Sequence, residues 1–162
     1  MYQKFGDGGQ VINNQYASPN ISAGISRCRL MPLKEIEDDK GNLTIVEGNE
    51  HVPFKINRIF YLYGIPQDVV RGGHAHKRLH QFVIAAMGSF DVTLNDGLER
   101  KKFHLDRPDR GLYIPPMIWD ELDNFSPGSL CLVLASDHYY EEDYIRDYGA
   151  FIKTRLGAIP PF

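Results

Sequence analysis

Short runs of alternating hydrophobic and polar residues follow one another along most of the chain. Glycine, proline, asparagine and aspartate separate these runs, which is the pattern of antiparallel strands in an all-β sandwich or barrel. The pattern predicts nine strands, at residues 26–32, 43–47, 56–63, 71–76, 81–87, 89–94, 99–105, 111–114 and 130–135. We therefore expect an all-β domain over residues 27–162.

The residues between the predicted strands carry specific turn signals. The sequences Asp38-Asp39-Lys40-Gly41-Asn42 and Asn95-Asp96-Gly97 are typical of hairpin turns, because glycine and asparagine tolerate a positive φ. Residues 106–111 contain a proline, which cannot donate a hydrogen bond within a sheet, so we expect a loop there.

The two ends of the chain depart from the strand pattern. Residues 1–26 are rich in glycine and asparagine and predict an irregular extension with a short strand at residues 10–12. Near the other end, Glu141, Glu142 and Asp143 suit a helix N-terminus. The apolar stripe of this predicted helix consists of Tyr144, Ile145, Tyr148, Phe151 and Ile152.

Composition limits the classes of function. The 162 residues include 18 basic and 21 acidic ones, a net charge of −3 that argues against nucleic acid as a partner. No apolar run reaches the roughly 20 residues needed to cross a bilayer. The first ten residues lack the hydrophobic core of a signal peptide. Cys28 and Cys131 are too few for a disulfide framework. We therefore expect a cytoplasmic protein without a membrane or nucleic-acid partner.

The candidate chemistry centres on the stretch Arg71-Gly72-Gly73-His74-Ala75-His76. Alternate residues of a strand share a face, so His74 and His76 project to the same side. Gln81 follows five residues after His76 and Gly88 seven residues after Gln81. This spacing resembles the first cupin motif (H-x-H, three or four residues, E, six residues, G) with glutamine in place of glutamate.

A second motif occupies residues 115–124. It resembles the second cupin motif, P-x-G-x-x-H-x-x-x-N, because Pro115 and Asn124 stand at the required spacing. Methionine replaces its glycine and Asp120 replaces its histidine. Two such motifs in order indicate a single antiparallel cupin barrel of the jelly-roll type, with the short helix at its C-terminal end.

The substitutions leave two kinds of chemistry open. His74, His76 and Asp120 could form the two-histidine, one-carboxylate set that holds non-haem iron, although neutral Gln81 is a poor metal ligand. Without a metal, the same histidines are candidate acids and bases, since an unperturbed imidazole pKa of about 6.5 suits proton transfer near neutral pH.

Further stretches give the chain a more specific resemblance, from about Leu33 to Tyr148. They are 53–58 (PFKINR), 71–77 (RGGHAHK), 111–114 (GLYI), Trp119, 133–136 (VLAS), 139–140 (YY) and 143–146 (DYIR). Together they resemble the sugar 3,4-ketoisomerases (WxcM-like cupins) that act on dTDP-4-keto-6-deoxyglucose. The resemblance implies a homodimeric enzyme without metal or redox cofactor, whose substrate is a small dTDP-sugar.

The resemblance also implies roles for individual residues. His74 and His76 inherit the acid and base roles in an enolisation that moves the ketone from C4 to C3. Lys40, Tyr61 and Tyr63 are candidates to stabilise the developing oxyanion. Arg58 and Arg71 are candidates for the diphosphate, because guanidinium groups bind phosphate oxygens in pairs. The remaining candidates for substrate contact are Gln81, Trp119 and Asp120.

Several alternatives stay open at this level. Asp120 could orient a histidine, as in the related deoxysugar 3,5-epimerases, so a 3- or 3,5-epimerase of the same substrate class is one alternative. Trp119 could cover the sugar or fill the mouth of the barrel. A metal-dependent cupin enzyme and a non-enzymatic sugar-nucleotide binding cupin are the others, since a fold does not fix a function.

Overall fold

The computed structural model describes residues 24–157, which form two β-sheets, a separate hairpin and one C-terminal helix. The predicted strand at residues 10–12 and most of the predicted extension lie outside the described residues. The elements are β1 (Arg29–Pro32), β2 (Lys34–Asp38), β3 (Gly41–Ile45), β4 (Arg58–Tyr63), β5 (Arg71–His76), β6 (Gln81–Met87), β7 (Phe90–Asn95), β8 (Arg100–Leu105), β9 (Arg110–Ile114), β10 (Trp119–Asp123), β11 (Leu130–Ala135), β12 (Tyr144–Ile145) and α1 (Tyr148–Leu156).

The strands pair in two sheets of five. One sheet has the order β1-β9-β6-β11-β4 and the other has the order β12-β5-β10-β7-β8. Every pairing within them is antiparallel. The described chain is thus mostly β-sheet with one short C-terminal helix, which agrees with a cupin-like fold. The strand orders themselves are those of two open sheets.

The main hydrophobic core lies between the inward faces of the two sheets. Strand β6 shows how its sequence builds both sides of its sheet. Val83 and Ala85 belong to the main core, whereas Phe82 and Ile84 belong to a second cluster on the other face. A strand buried on both faces reads as a continuous apolar run rather than as an alternation.

The nine predicted strands are all confirmed, with ends that differ by a few residues. Both predicted hairpin turns are confirmed as well, and Gly41 and Gly97 have φ angles of +124° and +93°. The sequence pattern missed β2, β10 and β12. Strand β2 is exposed along its whole length, so it has no buried side to produce an alternation.

The predicted helix N-terminus at residues 141–143 is wrong. These residues form a 3-10 turn, the next two form β12, and α1 begins at Tyr148. The carboxylate of Asp147 caps α1 by accepting a hydrogen bond from the backbone N–H of Ala150 at 2.7 Å. Tyr148, Phe151 and Ile152 do lie on the helix, as predicted. Within residues 24–157 no helix has the length and apolar character to cross a membrane.

Candidate active site

A cavity of about 210 Å³ lies between the two sheets and has a polar and an apolar part. The apolar walls come mainly from the first sheet: Phe60, Leu62, Val83, Ile114 and Val133, with Leu122 from the second. The polar part is formed by Arg71, Gly72, His74, Gln81, Asp120, Tyr144 and Arg146. The cavity therefore brings proton-transfer groups and cations against an apolar wall.

The two histidines of β5 differ in their access to this cavity. Their rings are in edge contact, with centroids 5.1 Å apart, so they do share a side of the strand as predicted. His74 lines the cavity, whereas His76 is only 3 % exposed and lies outside the lining. The ring of Tyr144 packs against both, at 5.0 Å from His74 and 4.3 Å from His76.

His76 is held by a carboxylate from the C-terminal part of the chain. Its Nδ1 lies 3.1 Å from Oδ2 of Asp143. This oxygen also accepts a hydrogen bond from the backbone N–H of Leu79, and Oδ1 of Asp143 accepts one from the backbone N–H of Arg78. Burial opposes ionisation of Asp143, but these bonds outweigh it and hold the pKa of this carboxyl below its usual range. A carboxylate can only accept, so Nδ1 of His76 carries the proton in this contact.

His74 faces a second, more deeply buried carboxyl. Its Nε2 lies 4.0 Å from Oδ1 of Asp120, and Oδ2 of Asp120 accepts a hydrogen bond from Nε2 of Gln81 at 3.2 Å. Burial raises the pKa of Asp120, and burial likewise lowers the pKa of His74 against the opposing attraction of Asp120. Both directions favour a neutral imidazole facing a protonated carboxyl.

Two glycines shape the strand that carries His74. Asp120 pairs with His74 and Glu121 pairs with Gly72, so Gly73 is an extra residue in the ladder. Gly72 and Gly73 have φ angles of +78° and +72°, which non-glycine residues rarely adopt. A Cβ on Gly72 would lie 2.7 Å from Oδ1 of Asp120. This bulge lets β5 approach Asp120 closely and aims His74 into the cavity.

Cationic side chains occur at the polar part of the cavity. Arg71 and Arg146 line it, and the Arg146 guanidinium lies 4.3 Å from the centroid of Tyr144. Glu141 holds Arg146 through two hydrogen bonds of 2.6 and 2.9 Å. Arg58 does not line the cavity. Its guanidinium lies 5.2 Å from the ring centroid of Phe60, and Phe60 does line the cavity.

Four predicted substrate contacts besides Arg58 lie outside the cavity of the single chain. Lys40 is exposed in the turn between β2 and β3. Tyr61 and Tyr63 lie on the outer face of β4, because Phe60 and Leu62 take the inner one. Trp119 is buried on the outer face of β10, where it packs against Tyr148 and Phe151 of α1.

Three residues of the site received no chemical role from the sequence: Asp143, Tyr144 and Arg146. All three belong to the stretch 143–146, which contributed to the family resemblance. The sequence feature that could have pointed to them is their clustering: these three polar or aromatic residues fall within four positions, shortly before α1. The role of Asp143 depends on a contact with His76 across 67 positions of sequence, which local patterns do not report.

The hypothesis of a metal centre can be compared with the arrangement of possible ligands. Among residues 24–157, the group of three whose ligand atoms lie within 4.8 Å of one another is Glu47, Glu50 and His51, outside the cavity lining. His74, His76 and Asp120 do not form such a group in this part of the chain. As arranged, these three residues do not fit a shared metal ion.

Comparisons with known proteins agree with this geometry. The chain is 41 % identical over 125 residues to the TDP-4-oxo-6-deoxy-α-D-glucose-3,4-oxoisomerase of Aneurinibacillus thermoaerophilus, covering 77 % of this chain and 90 % of that protein. Residues 26–155 match the family described as "FdtA: WxcM-like, C-terminal".

Solved structures give the same picture. A histidine-to-asparagine mutant of the 3,4-ketoisomerase QdtA from Thermoanaerobacterium thermosaccharolyticum, in complex with TDP-4-keto-6-deoxyglucose, superposes with a TM-score of 0.80. It is 39 % identical, and the match covers 83 % of this chain and 97 % of that one. The TDP-quinovose 3,4-ketoisomerase WlaRB of Campylobacter jejuni is 45 % identical at a TM-score of 0.77, over 80 % of this chain and 99 % of that one. This chain therefore belongs to the FdtA family of WxcM-like proteins.

Proposed function

We propose that this chain is a sugar-nucleotide 3,4-ketoisomerase that converts TDP-4-keto-6-deoxyglucose into a TDP-3-keto-6-deoxyhexose. The names of its relatives support this substrate and this reaction. The observation that carries the proposal is the imidazole of His74 in a cavity that also holds Arg71 and Arg146. A base beside cations is what the enolisation of an anionic sugar nucleotide requires.

His74 is the base that removes the C3 proton in this proposal. The C4 carbonyl acidifies this proton, because the electron pair of the broken C–H bond moves toward the carbonyl oxygen. His74 lines the cavity and its pKa is lowered mainly by burial, so it is neutral and able to accept a proton near pH 7. A positioned base of this kind contributes about 10²–10⁴-fold to the rate.

His76 supports His74 rather than replacing it. Its Nδ1 is committed to Asp143, and its ring packs on His74 and Tyr144. An imidazole fixed by a carboxylate keeps one tautomer and one orientation. We therefore propose that His76 is the partner of His74 in acid–base catalysis. Its ring, held by Asp143, fixes the position of the His74 imidazole.

Arginine side chains are assigned to the diphosphate. Arg71 and Arg146 line the cavity, and Arg58 lies against the Phe60 ring of its wall. The Nε of Arg58 is buried and has no hydrogen-bond partner among the described residues, so it has a donor to offer. Guanidinium groups bind phosphate oxygens through paired hydrogen bonds, which suits a nucleoside diphosphate.

A homodimer would account for residues that face away from the cavity. Ile59, Tyr61, Tyr63 and Met87 each expose more than half of their surface on the outer side of the first sheet. A surface of this kind is typical of an interaction site, and two-fold dimers are the commonest assemblies. We propose that a second copy covers it, and that Lys40, Tyr61 and Tyr63 contribute only in that assembly. Light scattering tests this, because the mass of a single chain would contradict it.

The wider expectations belong to the same proposal. The two sheets would act as one cupin barrel around the cavity, within a catalytic domain of residues 27–162 that follows the extension 1–26. The enzyme would work in the cytoplasm, where its sugar-nucleotide substrate is made. Trp119 would support β10 from outside by packing on α1.

The position of the ketone in the product tests the proposed function. Purified protein is incubated with TDP-4-keto-6-deoxyglucose in deuterated water, and the product is followed by NMR. A ketoisomerase gives a ketone at C3 and deuterium at C4. A ketone that stays at C4, with deuterium and an inverted configuration at C3 or C5, would identify an epimerase instead. Unchanged substrate at high protein concentration would contradict both enzymes and leave a binding module.

A further inference from the structure

The carboxyl of Asp120 is buried, and the residue is 3 % exposed. It lies in the cavity wall, where Oδ1 is 4.0 Å from Nε2 of His74 and Oδ2 accepts from Nε2 of Gln81. Ionised carboxylates are rarely buried without a paired cation, because desolvation is costly. A buried carboxyl that lines a reaction cavity is therefore a candidate for chemistry.

Few of the residues lining the cavity can give up and take back a proton. Arg71 and Arg146 stay protonated, and the amide of Gln81 does not transfer protons. The remaining lining residues are apolar apart from His74, Asp120 and Tyr144. Of these three, only Asp120 has two oxygens, one to donate a proton and one to accept a proton.

The proposed reaction requires proton transfers at two carbon atoms and at two oxygen atoms of the sugar. One proton leaves C3 and one arrives at C4, while O4 gains a proton and O3 loses one. His74 accounts for the transfers at carbon. Building on the proposed function, we propose that Asp120 is the catalytic acid and base at the two sugar oxygens, carrying a proton to O4 and removing one from O3.

The proposed steps balance. In the first, His74 takes the C3 proton, the C–H electron pair forms a C3–C4 double bond, and O4 takes the proton of Asp120. A neutral enediol, an imidazolium and a carboxylate result. In the second, the imidazolium N–H has exchanged with solvent. The Asp120 carboxylate takes the O3 proton, the C3 ketone forms, and the double-bond electrons take a proton at C4 from the imidazolium. Both residues end in their starting states.

The surroundings of Asp120 favour this starting state. Burial raises the pKa of Asp120 and lowers the pKa of His74, so both shifts favour a neutral carboxyl beside a neutral imidazole. Because Gln81 donates to Oδ2, the carboxyl proton belongs on Oδ1, the oxygen closer to His74. Oδ1 of Asp120 occupies the space that a side chain at residue 72 would need, since a Cβ on Gly72 would lie 2.7 Å from it.

The variant Asp120→Asn separates the two kinds of proton transfer. Asparagine keeps the shape of the side chain and still donates a hydrogen bond to O4, but it cannot remove the O3 proton. We expect the variant to exchange the C3 proton of the substrate for deuterium within about tenfold of the wild-type rate. Isomerisation is expected to fall by about 10²–10⁴-fold. NMR in deuterated water measures both rates in one sample.

Asp123→Asn is the matched control, because Asp123 lies on the same strand, on the outer face, paired with Lys102. It should keep both activities. An Asp120→Asn protein that isomerises at the wild-type rate would overturn the proposal. So would an equal loss of exchange and isomerisation in a folded variant that still binds TDP, since Asp120 would then only position His74. If Tyr144→Phe keeps C3 exchange but loses isomerisation, while Asp120→Asn keeps both, the role belongs to Tyr144 and not to Asp120.

Wild-type protein supplies a second measurement if Asp120→Asn does not fold. As pH rises, ionisation of Asp120 removes the proton that O4 takes in the first step, so C3 exchange and product formation should both fall. Rates that stay constant as pH rises would overturn the proposal. The charged and titratable groups around Asp120 are His74, His76, Arg71, Glu121, Cys131, Tyr144 and Arg146. Burial raises the pKa of the Cys131 thiol to about 12, so it does not interfere. If the wild type neither exchanges nor isomerises the substrate, the proposed function fails instead.

Discussion

At the scale of single residues, the sequence indicated which side chains could do chemistry but not how they are paired. His74 and His76 share a side of β5, as their spacing predicted. Their partners, Asp120 and Asp143, come from distant parts of the chain. The spacing therefore could not tell which histidine lines the cavity and which is held by a carboxylate.

The residue pair Trp119 and Asp120 shows a limit of pattern reading. Alternation along a strand separates two faces, but it does not say which face is the interior. Here the tryptophan packs outward against α1 and the aspartate points into the cavity. A hydrophobicity pattern predicts the opposite orientation, and functional sites are where such rules fail.

The contacts of Asp143 lead to a stability prediction. The change Asp143→Asn should lower the free energy of unfolding by roughly 1.5–3 kcal/mol, because hydrogen bonds to a charged acceptor are lost. Since the pKa of Asp143 is lowered in the folded state, its contribution is present above the unfolded pKa and fades as pH falls through the folded value. Denaturant unfolding at several pH values measures this. A difference between the two proteins that grows toward acid pH would contradict it.

At the scale of elements, the sequence predicted the strands that have an apolar side. It missed β10, whose buried face includes Asp120, and β2, which has no buried face. It also placed the last helix too early, because Asp143 is used by His76 and not by a helix end. Each error arises where a polar residue serves a tertiary contact instead of the local pattern.

The bulge in β5 gives a prediction at this scale. Gly72→Ala and Gly73→Ala both place a side chain at positive φ, which costs roughly 1–2 kcal/mol of stability. Only Gly72→Ala also brings a Cβ against Asp120, since nothing lies within 4 Å of a Cβ on Gly73. We expect a larger loss of melting temperature and a much larger loss of isomerisation for Gly72→Ala than for Gly73→Ala. Equal losses of activity would contradict the role of this contact.

At the scale of the whole molecule, the order of strands could not be read from the sequence. The two sheets combine strands from both halves of the chain, and their pairing depends on contacts far apart in sequence. The paired motifs nevertheless indicated a cupin-like fold, and both contribute residues that line the same cavity. The exposed apolar face of the first sheet could not be predicted from the sequence, because alternation does not show which side of a strand faces the core.

The most direct test concerns the base of the proposed reaction. Exchange of the C3 proton of TDP-4-keto-6-deoxyglucose with deuterated water is measured for wild type, His74→Asn and His104→Asn. His104 is an exposed histidine on β8, paired with Asp91 and outside the cavity lining. The His74→Asn variant should lose roughly 10²–10⁴-fold in exchange while still binding TDP, and His104→Asn should match the wild type. Exchange at the wild-type rate in His74→Asn would contradict the proposed mechanism.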